Sequence, residues 1–93
     1  MEANIPESLF QLYKGSHKNI DRALSMLLDS MDPECYQSAI GQMKVSSIET
    51  DNKIRINLGN SVSTQLQRTF PRREIDDELI ITLLWVAVLF PEI

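Results

Sequence analysis

From Leu79 to Phe90 the chain is apolar at every position except Thr82. A stretch with no polar stripe has no side that can face water, so any fold this chain adopts must surround it. As a helix it would span about 18 Å, well short of the ~30 Å hydrocarbon core of a bilayer. The run is therefore expected to be a buried element, not a membrane span. Its β-branched residues keep a central strand open as a rival. Glu74, Asp76, Asp77 and Glu78 stand just before it, where the helix dipole favours acids, and Pro91 follows as a stop. Those flanks favour helix.

Covering such a helix falls to the rest of a 93-residue chain, which is read as one domain, 1–93, burying about two thirds of its unfolded surface. Leu9, Phe10, Leu12 and Tyr13 predict a short helix over 6–14, with Pro6 in its first turn and Gly15 as its stop. The residues before it are the one place where the sequence suggests disorder. Ile20, Leu24, Leu27, Leu28 and Met31 line one face of a helix over 17–30, for which Ser16 or Asn19 supplies a cap. Asp32-Pro33-Glu34 reads as the start of a third helix whose apolar face is Tyr36, Ala39, Ile40 and Met43.

After Lys44 the period changes. Ile54, Ile56 and Leu58 alternate with Lys53, Arg55 and Asn57, the signature of a half-buried strand. Asp51-Asn52 is turn chemistry, which makes Val45–Thr50 the expected hairpin partner. Val62, Leu66 and Phe70 suit either a helix or a strand, and Asn60 and Ser61 as caps favour helix. The expected fold is α+β and helix-dominated: three N-terminal helices, a small β-hairpin and the C-terminal apolar helix. An all-α fold is the alternative.

Few functional classes suit this composition. Nine Lys and Arg against 13 Asp and Glu leave a formal charge of −4, which disfavours nucleic-acid binding and adsorption to anionic lipid. The lone Cys35 cannot form an internal disulfide, and the N-terminus has neither a basic nor an apolar leader region. Both features point to a cytoplasmic setting. The single histidine, His17, and Cys35 cannot make a His/Cys metal set, and the three glycines are too scattered for a phosphate loop. No catalytic, cofactor or metal residue is assigned, and the chain is read as a non-enzyme.

Two clusters remain. The acids at 74–78 read as helix N-terminal charge, and Arg68, Arg72 and Arg73 as their neutralising neighbours or, failing that, a polyanion contact. So small a chain is expected to leave part of its apolar helix exposed, so that Leu79, Leu83, Trp85, Val86, Leu89 and Phe90 become an interface, most simply of a homodimer. The functional expectation is a small protein-binding module that occupies a partner protein, as an inhibitor, antitoxin, immunity protein or adaptor does. A dimeric nucleic-acid-binding regulator using Arg68, Arg72 and Arg73, with Lys53 and Arg55, is the second reading, and a small enzyme of unrecognised type the third.

Overall fold

The computed structural model describes residues 1–30 and 52–89. Its elements are β1 (Glu2–Pro6), α1 (Glu7–Leu12), α2 (His17–Ser30), β2 (Lys53–Asn57), α3 (Asn60–Thr69) and α4 (Asp77–Leu89). The fold is helix-dominated α+β, with four described helices and a two-stranded antiparallel sheet. The expected third helix and the expected hairpin strand Val45–Thr50 lie outside the described residues.

The strand that pairs with β2 among the described residues is the N-terminal segment, where disorder was expected. Ala3 and Ile5 alternate with Glu2 and Asn4, and the register sets Ala3 against Ile56 and Ile5 against Ile54 on the inner face. Pro6 closes β1 and caps α1 from outside; it does not sit in the helix's first turn as expected.

Helix α1 ends earlier than expected, at Leu12. Gly15 N–H donates to the Phe10 carbonyl (3.1 Å) and Lys14 N–H to that of Gln11 (2.9 Å). This is a Schellman closure, with Lys14 at the left-handed position that glycine usually fills (φ 59°) and Gly15 also at positive φ. Ser16 then caps α2, its hydroxyl accepting from Asn19 N–H. Ile20, Leu24 and Leu27 of α2 are buried as their spacing predicts.

Residues 60–69 resolve as helix, so the strand alternative for that segment falls. Asn60 and Ser61 lie inside α3; its cap is Gly59, whose N–H donates to the Asp21 carboxylate at 3.3 Å. A side chain at Gly59 would have its Cβ 3.2 Å from that carboxylate, so α2 and α3 meet where the chain has no side chain to spare. Val62, Leu66 and Phe70 face the core.

Helix α4 packs against α2 and β1. Asp76 caps it, accepting from Leu79 N–H at 2.9 Å. Thr82, the polar exception in the apolar run, is buried and donates back to the Glu78 carbonyl at 2.8 Å. Tyr13, from the α1–α2 turn, donates to the Leu84 carbonyl at 2.7 Å, and burial pushes its pKa up to about 12. No described helix is long and apolar enough to cross a membrane.

Candidate functional site

The apolar helix is mostly interior. Leu79, Leu83 and Val86 are buried within a single copy of the chain, together with Ile80 and Leu84. Those three positions, expected above to form part of a homodimer interface, therefore present almost no surface in a single copy. The physical reason is the N-terminal strand. Ala3 and Ile5 supply an apolar sheet face against α4 that a disordered N-terminus would not have provided. Trp85 is half-buried, and its indole N–H is buried without a hydrogen-bond partner among the described residues. Phe90 and the side chain of Leu89 lie outside the described residues.

The charged clusters separate. Asp76 is used as a cap, and Asp77 accepts from the backbone N–H of Asn4 at 3.1 Å, pinning the start of α4 to the outer edge of β1. Among the described residues the one ion pair is Arg55–Glu2, at 3.9 Å between well-exposed side chains. Arg68, Arg72 and Arg73 are exposed and form no ion pair there with the neighbouring acids, contrary to the expected neutralisation. His17 accepts from Asn57 N–H through Nδ1 (3.3 Å) and stands edge-on to Phe10, so it joins α2 to the end of β2. No group of three or more potential metal ligands occurs among the described residues.

What the sequence did not reveal is a difference between the two edges of the sheet. Leu58 N–H donates to the Met1 carbonyl and Glu7 N–H to that of Asn52. With the observed register, the mutually bonded pairs then fall at Ala3–Ile56 and Ile5–Ile54. Glu2, Asn4, Lys53, Arg55 and Asn57 consequently turn their backbone polar groups outward.

On the β1 side this edge is mostly closed: Asn4 N–H is taken by Asp77 and Pro6 has no N–H, which leaves Glu2 at its end. On the β2 side, Asn57 N–H is taken by His17, and the chain beyond is held at Gly59 by Asp21. Lys53 and Arg55 lie between with no outward backbone partner among the described residues, and both side chains are exposed. Among the described residues the open edge is thus short, cationic and bordered by half-buried Ile54. A period-2 pattern reveals that a strand exists but not which edge is left free, because that depends on its neighbours.

No family model matches the chain, and no curated protein or solved structure shows significant similarity to it.

Proposed function

We propose that this chain is a small non-enzymatic protein-binding module that occupies a partner protein, and that its contact surface is the outer edge of β2. The observation that carries the reading is the inequality of the two edges. One is mostly closed by a carboxylate and a proline, while the other offers backbone groups at Lys53 and Arg55 that are unpaired among the described residues. Unpaired edge groups are a template for another strand, and strand addition is a common mode of peptide recognition.

The test compares wild-type protein with Arg55→Pro as immobilised bait. Arg55 N–H points outward, so proline removes an edge donor without breaking a bond to β1. Proteins retained by the wild type and lost from Arg55→Pro, with the variant still folded by circular dichroism, support the reading. Equal retention would move the contact surface elsewhere, and nothing retained above blank beads would end the reading.

A second reading rests on Arg68, Arg72 and Arg73, which are exposed and lack ion pairs among the described residues. It makes the chain a nucleic-acid-binding regulator despite its charge of −4. Salt-sensitive binding to duplex DNA that is lost when all three are changed to Ala supports it. No binding at about 50 mM salt, where phosphate contacts are strong, disposes of it.

A further inference from the structure

Resting on the reading of the β2 edge as a protein-binding surface, we infer that its occupant is an extended acidic segment of another protein, added antiparallel to β2, with acids alternating with apolar residues. In an antiparallel addition, the residues opposite Lys53 and Arg55 exchange both backbone hydrogen bonds with them. Their side chains stand on the same solvent-facing side of the sheet as Lys53 and Arg55. Carboxylates there meet two cations, of which Lys53 faces Pro6 across the ladder and Arg55 has only a loose, exposed pairing with Glu2. The intervening residue points to the inner side, beside half-buried Ile54, and is apolar for that reason.

Charge argues against a second copy of this chain as occupant. Antiparallel pairing of β2 with its own copy sets Lys53 against Arg55 when centred on Ile54, and Arg55 against itself when centred there. Either register opposes like charges. The β1 edge of a second copy is blocked at Asn4 by Asp77 and at Pro6, which has no N–H. The plain competing explanation is protection, since lysine and arginine on an edge also deter unwanted pairing. They deter a neutral or basic strand, however, and favour an acidic one.

Fluorescence anisotropy with a labelled (Glu-Val)4 peptide tests this on the intact chain, with (Lys-Val)4 as the control. Two further versions of the acidic peptide carry N-methyl groups, one at the Glu residues and one at the Val residues. Antiparallel addition directs the Glu N–H groups at β2, so methylation at Glu abolishes binding and methylation at Val does not.

The Lys53→Glu/Arg55→Glu variant is expected to bind (Glu-Val)4 about tenfold more weakly and to gain affinity for (Lys-Val)4. Equal tolerance of both methylations would reduce the contact to charge adsorption and overturn the inference. So would no binding at about 1 mM peptide, a mass that doubles through the wild-type edge but not through Arg55→Pro, or (Lys-Val)4 binding as well as (Glu-Val)4. If the peptides fail while Arg55→Pro still loses captured proteins, the module reading stands and the acidic strand falls.

Discussion

Lys14 is the residue at which backbone and side chain disagree most plainly. It occupies a left-handed conformation that costs a residue with a Cβ roughly 1 kcal/mol relative to glycine. Lys14→Gly is therefore expected to raise stability by up to about 1 kcal/mol in a urea titration, offset in part by the greater freedom of glycine in the unfolded chain. Tyr13, one residue earlier, holds its proton through the range where a free tyrosine loses it, because burial disfavours the phenolate. Below pH ~10 the phenol is neutral in both the folded and the unfolded state. Between about 10 and about 12 the unfolded chain ionises first, so stability falls as pH rises through that window. Solvent screening at this half-buried site limits the loss to about 1 kcal/mol. Tyr13→Phe is expected to remove this pH dependence and, by giving up the bond to the Leu84 carbonyl, to cost about 1 kcal/mol at neutral pH. Paired urea titrations at pH 7 and pH 11 check both statements.

At the scale of elements, α4 is positioned by its first turn and held by its middle. Asp76→Ala removes the cap on Leu79 N–H and is expected to cost about 1 kcal/mol. Leu83→Ala empties a site that is almost wholly buried, and about 2–5 kcal/mol is expected. Thermal unfolding followed by circular dichroism ranks the two, and an Asp76→Ala cost as large as that of Leu83→Ala would contradict the assignment. The acids and the apolar run were legible in advance because both signals are local. The cap of α3 was not, because Gly59 takes that position through the Asp21 carboxylate of a distant helix, leaving Asn60 and Ser61 inside the first turn.

Across the whole molecule, the strand formed by the first residues decides how the apolar helix is covered. With Leu79, Leu83 and Val86 inside, the described apolar surface left on that helix centres on half-buried Trp85. Light scattering over a dilution series is accordingly expected to give a monomer mass for the wild type and for Trp85→Ala. A concentration-dependent mass that disappears in Trp85→Ala would restore the helix as an interface. The isolated apolar exposures at Leu12 and Met26 are single side chains, one on α1 and one on α2. Single exposed apolar residues are ordinary on a protein surface and call for no partner.

The sequence by itself determined the elements whose signal is periodic and local. The face of α2, the strand over Lys53–Asn57 and the helical nature of the apolar run follow from spacing and from the residues at their ends. Ala3 and Ile5 carried a period-2 signal too, but over so few residues that it could not outweigh the usual fraying of a terminus. Tertiary structure alone decided that this segment pairs with β2, because the pairing joins parts of the chain about 50 residues apart and its gain comes only once β1 is docked on α4. It also decided which sheet edge remains open among the described residues. That property belongs to the neighbours Asp77, Pro6 and His17, not to the strand that carries the edge.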